Sequence, residues 1–207
     1  MVQIEKLKHA YGKTLIGYPD WKVGQGDHAM IVGSSGCGKT TLLHLIAGLM
    51  KSASGELVVE GKNLAKLSTS GLDRFRGENI GIVFQRPHLV RALTVVENLI
   101  LAQQLGRRKK NLTKVNHILG TLEIEALKKR KVYQLSQGQA QRVSIGRAVV
   151  NEPKLLLADE PTASLDDRNC ERVIKLLKSQ AEMNKATLIV ATHDQRVKNE
   201  FANRLSL

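Results

Sequence analysis

Apolar positions along this chain switch between two periods. Ala29-Met30-Ile31-Val32, Ile80-Gly81-Ile82-Val83-Phe84, Leu155-Leu156-Leu157-Ala158 and the run from Thr187 to Ala191 are short, largely aliphatic stretches. Runs of this kind without a polar face predict strands of a parallel sheet covered on both sides. Glu56-Leu57-Val58-Val59 followed by Glu60-Gly61-Lys62 predicts a further strand and turn. Between these runs apolar residues recur at helical spacing. Thr40 to Met50 places Leu42, Leu43, Ile46 and Leu49 on one face, and Gln137 to Val150 and Arg168 to about Met183 fit two more helices. Thr94-Val95-Val96-Glu97 is a capping box opening a helix through about Leu105. Leu112 to about Lys131 reads as helical, broken near Gly120. The alternation predicts an α/β fold with a mostly parallel core sheet. The stretch 86–134 holds only helical signals, so a helical subdomain inserted between core strands is expected. There is no internal repeat, low-complexity segment or linker, which predicts one domain over 1–207.

Composition narrows the class. Of 207 residues, 42% are hydrophobic and 25% charged, which excludes a disordered tail protein or a fibre. Aromatics are 3%, too few for a platform of stacked rings. Two cysteines, Cys37 and Cys170, cannot build a disulfide framework and suit a reducing compartment. No apolar run approaches the roughly 18 residues of a membrane span. Met1 to His9 is mixed in polarity, so a signal peptide is not expected and the chain reads as cytosolic. The formal net charge is +13, which suggests a polyanionic neighbour: nucleotide phosphates, nucleic acid or an anionic membrane face. The basic runs Arg107-Arg108-Lys109-Lys110 and Lys128-Lys129-Arg130-Lys131 read first as solvated helix ends and loops, and second as a membrane-surface or partner-docking feature.

Two motifs carry chemistry. Gly33-Ser34-Ser35-Gly36-Cys37-Gly38-Lys39-Thr40 matches the phosphate-loop pattern in full, after a predicted buried strand and before a predicted helix. Its backbone N–H groups can face phosphate oxygens, Lys39 can bridge the β- and γ-phosphates, and the Thr40 hydroxyl can hold Mg²⁺. Cys37 is a variable position of that loop, read as a small filler. Leu155-Leu156-Leu157-Ala158-Asp159-Glu160 delivers two carboxylates at a strand end, where open α/β sheets bind ligands. Asp159 can orient Mg²⁺, and Glu160 can polarise an attacking water as general base.

Leu135-Ser136-Gln137-Gly138-Gln139, with Gln141-Arg142 following, resembles the signature sequence of ATP-binding cassette (ABC) ATPases. The other motifs of that family occur in order. Gln85 resembles the Q-loop glutamine, Ala163-Ser164-Leu165-Asp166 the D-loop, and His193 in Ala191-Thr192-His193-Asp194 the switch histidine. Tyr11 resembles the aromatic that stacks on adenine; a structural tyrosine in a strand is the plain alternative. The resemblance covers about residues 2–205. Ile31 to Gly48 and Leu157 to Leu165 look most like exporter subunits of the lipoprotein-releasing and macrolide-export type. Gln137 departs from the frequent glycine and Ala140 from a commonly polar position, while Ser136 and Gly138 are intact. The chain ends soon after His193, so no C-terminal regulatory domain is expected.

The resemblance implies a P-loop NTPase: a RecA-like parallel core, an antiparallel β subdomain and the inserted helical subdomain. It implies an ATPase using ATP and Mg²⁺, with Glu160, His193 and Gln85 catalytic. ATP would meet Tyr11, Gly33 to Thr40, Thr41, Ser136, Gly138, Gln139 and Asp166, and the metal Thr40, Gln85 and Asp159. It also implies two subunits packed head to tail, most simply a homodimer. Each ATP would then touch Lys39 of one copy and Ser136 and Gly138 of the other. The expected partner is a separate integral membrane permease, docking near Gln85 and 86–97, which places the chain on the inner face of the cell membrane. A soluble nucleic-acid ATPase of the repair or translation-factor kind is the first alternative. The short interval from Lys39 to Ser136, the single cassette and the lack of aromatic–basic interleaving count against it. A non-hydrolysing scaffold is the second, and intact Glu160 and His193 count against it.

Overall fold

The computed structural model describes residues 1–12, 14–163 and 165–207. In chain order the elements are β1 (Val2–Tyr11), β2 (Thr14–Gly17), β3 (Trp21–Val23), β4 (His28–Val32), α1 (Lys39–Ile46), β5 (Ser54–Val59), β6 (Lys62–Asn63), α2 (Thr69–Asn79), β7 (Ile80–Val83), α3 (Val95–Leu105), α4 (Leu112–Thr121), α5 (Gln137–Val149), β8 (Leu155–Asp159), α6 (Asp167–Met183), β9 (Thr187–Thr192) and β10 (Asn203–Ser206). They form two sheets. In the first, β1 pairs antiparallel with β2, β3 and β5, and β5 with β6. In the second, every pairing is parallel, in the order β10-β4-β9-β8-β7.

The all-apolar strands are explained by two cores, one on each face of the parallel sheet. On β8, Leu155 and Leu157 pack with α1 (Leu42, Ile46), α2 (Leu72, Phe75) and the antiparallel sheet (Ile4, Leu57). Leu156 and Ala158 pack on the other side with α3 (Leu99), α4 (Leu119), α5 (Val143) and α6 (Leu177). A strand read by both layers has no position left for a polar side chain until it leaves the sheet. In β8 that happens at Asp159.

Register aligns the strand ends. Val32 lies opposite Thr192, Ala191 opposite Asp159, and Ala158 opposite Val83. The loops after β4, β9, β8 and β7 therefore leave the sheet on one edge, side by side. Those loops hold the phosphate-loop motif, His193, Glu160 and Gln85.

Local departures from the sequence expectations have physical causes. α1 stops at Ile46 rather than Met50, because Gly48 takes φ +65° and Leu49 N–H turns back to the His44 carbonyl. Lys128 to Lys131 is not helical. The carbonyls of Lys128 and Arg130 instead accept from the Val96 and Val95 amides, filling the first turn of α3, and Thr94 bridges Lys131. The capping box at Thr94 is present, with Thr94 and Glu97 bonded reciprocally. α2 was not foreseen, since only Leu72 and Phe75 are buried along it, too few to show a period. β10 was not foreseen either, lying as the sheet's edge beside β4.

Candidate active site

The phosphate-loop motif curls from the end of β4 into α1. Gly38 stands at the helix N-cap with φ +104°, a conformation that glycine adopts without a Cβ penalty. α1 has no side-chain cap and no acidic residue in its first turn. Its leading N–H groups are therefore left for an anion. The loop is otherwise closed on itself. Lys39 is 5% exposed, and its Nζ donates to the carbonyls of Gly33 (3.0 Å) and Ser34 (2.9 Å) while standing 3.5 Å from Glu160 Oε1. The Tyr18 hydroxyl, which the sequence reading passed over, donates to the Gly38 carbonyl at 3.4 Å.

The Thr40 hydroxyl donates to Asp159 Oδ1 at 3.0 Å across the sheet edge. Burial pushes the Asp159 carboxyl above its ordinary pKa, and the Thr40 bond only partly offsets that. A buried carboxylate beside a hydroxyl is a site that a divalent cation would relieve. The donor set suits magnesium, which takes one or two carboxylates and leaves the rest to phosphate and water. No cluster of three or more His, Cys, Asp or Glu able to hold a metal occurs among the described residues.

Glu160 turns out of line with β8. Its φ is +44°, and its N–H is held by the Ala191 carbonyl at 2.8 Å. That backbone costs about 1 kcal/mol for a side chain with a Cβ, and it aims the carboxylate across at β9. There it accepts from the Thr192 hydroxyl (Oε2, 2.9 Å) and the His193 N–H (3.4 Å), and meets His193 Nδ1 at 2.9 and 3.0 Å. A carboxylate only accepts, so the ring proton sits on Nδ1. A cleft of ≈ 250 Å³ unites these groups, lined by Ser35, Gly36, Gly38, Lys39, Thr40, Thr41, Gln85, Glu160 and His193.

The structure does not bring the other expected residues into the lining of this cleft: Tyr11, Ser136, Gly138, Gln139 and Asp166 are absent from it. Tyr11 is 49% exposed, and its hydroxyl meets Thr41 Oγ1 at 3.0 Å, which fixes the ring beside the start of α1. Gly33 and Cys37 sit against each other, and a Cβ on Gly33 would strike Cys37 Sγ and the Leu207 carbonyl. Cys37 is thus a filler within the loop. Gln137 and Gly138 line a second cleft of ≈ 200 Å³ that shares Gln85 and Glu160 with the first. Ser136 caps α5: its hydroxyl accepts from Gln139 N–H at 3.3 Å, and Gln139 Oε1 accepts from Ser136 N–H at 3.0 Å. The Ser136 hydroxyl proton stays available, and Gly138 has open space where a Cβ would stand. Asp166 caps α6 through Asn169 N–H at 2.8 Å. Ser164 lies outside the described residues.

Sequence reading missed the groups behind His193. Asp194 accepts from the Thr162 hydroxyl (2.9 Å) and from Arg196 Nε and Nη2 (2.9 and 2.7 Å). No motif marks Arg196; Thr162 lies in the Leu157 to Leu165 run and Asp194 beside His193, but neither carried a role in the sequence reading. The Arg196 guanidinium holds the Asp194 carboxyl far below the usual carboxylate range. The native pKa is depressed, so this pair stabilises the fold above the unfolded value of about 3.9. That contribution is lost as pH falls toward the native value. Urea titrations of Asp194→Asn should show a flatter fall of stability below about pH 4 than the wild type. An unchanged acid slope would remove Asp194 from this account.

The model of the ABC transporter family matches residues 18–163. A putative ABC transporter ATP-binding protein of Mycoplasma pneumoniae is 34% identical over 212 residues, covering 99% of this chain and 62% of its own length. The lipoprotein-releasing system ATP-binding protein LolD of Syntrophotalea carbinolica is 36% identical over 185 residues, 88% of this chain and 82% of LolD. Among solved structures, the dimeric ATP-binding cassette MJ0796 in a post-hydrolysis state with ADP and Pi superposes with a TM-score of 0.90 at 32% identity, covering 100% of this chain and 94% of that one. cbiO1 of Clostridium perfringens, part of the complex cbiONQ, gives 0.88 at 31% identity, covering 99% and 83%.

Proposed function

The chain belongs to the ABC transporter family, as an ATP-binding cassette, and from that premise we propose that it binds and hydrolyses ATP to drive a separate membrane permease. The observation that carries the reading is the convergence of Lys39, Thr40–Asp159 and Glu160–His193 in one cleft beneath the uncapped start of α1. The triphosphate takes the loop amides and Lys39, which exchanges its contacts to Gly33, Ser34 and Glu160 for phosphate oxygens. Thr40 and Asp159, with Gln85 at the cleft wall, would hold Mg²⁺, whose chemistry is to neutralise phosphate charge. Glu160, fixed by Thr192, accepts the proton of the attacking water, and His193 holds the γ-phosphate side of the cleft. Tyr11, exposed and bonded to Thr41 beside α1, would pack on the base.

Two copies act head to tail, with the free Ser136 hydroxyl proton and the open Gly138 amide meeting the other copy's ATP. Asp166 and Gln139 stand at that contact, their side chains held by Asn169 and Ser136. MJ0796, solved as a dimeric cassette, supports this arrangement. The chain is read as a single ATPase domain in which 86–134 is a helical subdomain inserted in the RecA-like core. No helix among the described residues is long and apolar enough to cross a membrane, so the permease supplies the path, and the chain sits peripherally on the cytoplasmic side. The resemblance to LolD favours an exporter or an extracytoplasmic mechanical device. The exposed run Arg107-Arg108-Lys109-Lys110 favours an anionic membrane surface as a further neighbour.

The test separates the two copies. Ser136→Glu sets a carboxylate against the opposing triphosphate. ATP should still bind the monomer with a Kd within about threefold of wild type, while phosphate release and ATP-held dimerisation fall by at least about 100-fold. Normal turnover in that variant would refute the head-to-tail site.

A further inference from the structure

A polar chain of fixed direction runs from Arg196 to Glu160. Arg196 Nε and Nη2 grip the two Asp194 oxygens at 2.9 and 2.7 Å, while Nη1 donates to Asp167 Oδ1 at 2.7 Å and to the Leu165 carbonyl at 3.1 Å. One planar fork thus spans the segment after β9 and the segment after β8. The Thr162 hydroxyl adds a second tie to Asp194 Oδ2 at 2.9 Å. From Asp194 the chain continues inward, since its N–H donates to Thr192 Oγ1 at 3.0 Å. A backbone N–H can only donate, so Thr192 accepts there and spends its single proton on Glu160 Oε2 at 2.9 Å. Glu160 holds a left-handed backbone, φ +44°, which persists only where its surroundings over-determine it.

We infer that Arg196 is a positioning residue for hydrolysis: by clamping 162–167 to the end of β9 it sets the orientation of the Glu160 carboxylate. The inference rests on the ATPase reading above and adds to it a residue outside the nucleotide cleft. A lysine cannot replace the fork, because one ammonium cannot hold both carboxylates and the Leu165 carbonyl in their present directions. Arg196 does not line the cleft, and its side-chain hydrogen bonds go to Asp194, Asp167 and Leu165, so its loss should act on turnover rather than on nucleotide capture.

The experiment compares the full-length wild type with Arg196→Met, Arg196→Lys, Asp167→Asn and the Arg196→Met/Asp167→Asn double variant. Two readouts are taken: kcat and KM for ATP, and amide hydrogen exchange. Arg196→Met should lower kcat about tenfold with KM within about twofold, and Arg196→Lys should recover part of the loss. The double variant should be no slower than Arg196→Met, because both changes cut one link. Exchange at 162–167 and at 192–194 should rise together in Arg196→Met, with β4 and α1 unchanged. Wild-type kcat in Arg196→Met, multiplied losses in the double variant, or faster exchange confined to 195–200 would each overturn the inference. If the wild type releases no phosphate, the ATPase reading fails, and the exchange pattern alone still decides the clamp. If Arg196→Met does not fold, Arg196→Lys and Asp167→Asn decide it by the same two readouts.

Discussion

Lys39→Ala weakens ATP binding by at least about 100-fold. Each charge-assisted bond from an ammonium to a phosphate oxygen contributes about 1.5–3 kcal/mol, and tenfold in affinity is about 1.4 kcal/mol. Two such bonds reach or pass that figure. The fold should survive. Lys39 now satisfies the Gly33 and Ser34 carbonyls from the loop's inner side, and after truncation water can reach both. Calorimetric titration with a slowly hydrolysed ATP analogue measures the loss, and circular dichroism checks that the chain is folded. A Kd within about threefold of wild type would mean that the loop is not the phosphate site.

Glu160→Gln has the opposite profile: binding persists and turnover stops. Loss of a general base slows hydrolysis at least about 100-fold. The amide keeps the shape of the carboxylate and one acceptor for Thr192, but it cannot take a proton from water. It also loses the 3.5 Å ion pair to Lys39, which frees the ammonium for phosphate. ATP affinity should therefore hold or rise, and the ATP-held dimer should accumulate on light scattering. Rapid phosphate release by this variant would assign the base elsewhere, and a strict monomer at saturating ATP would sink the two-copy arrangement.

Most of the core was legible because each element carries its own local signal. β4 and β8 read as strands on both faces being apolar, and the start of α3 read from its cap at Thr94. The cleft was legible because its chemistry sits in contiguous motifs, Gly33 to Thr40 and Asp159-Glu160. What stayed hidden depends on partners distant in sequence. α2 shows only two buried side chains. The 128–131 run leaves the helix because its carbonyls serve α3, a demand that no local pattern announces. The link of Arg196 to Asp167 and Leu165 spans about thirty residues and exists only once β8 and β9 lie side by side. The engagement of Lys39 by its own loop is likewise a property of the folded site rather than of the motif.

α2 through α6 each begin on a side chain that accepts from the helix: Ser68, Thr94, Asn111, Ser136 and Asp166. α1 alone among the described helices begins on a glycine with nothing in that place. A small oxyanion held at this point would supply the acceptor that the other helix starts carry as a side chain. Sulfate, phosphate or ADP bound there raises the melting temperature by mass action, by RT ln(1 + [L]/Kd) at a given ligand concentration. The melting temperature in a phosphate buffer should therefore exceed that in a buffer whose anion is too large to fit, and equal values in the two would remove the anion from this place.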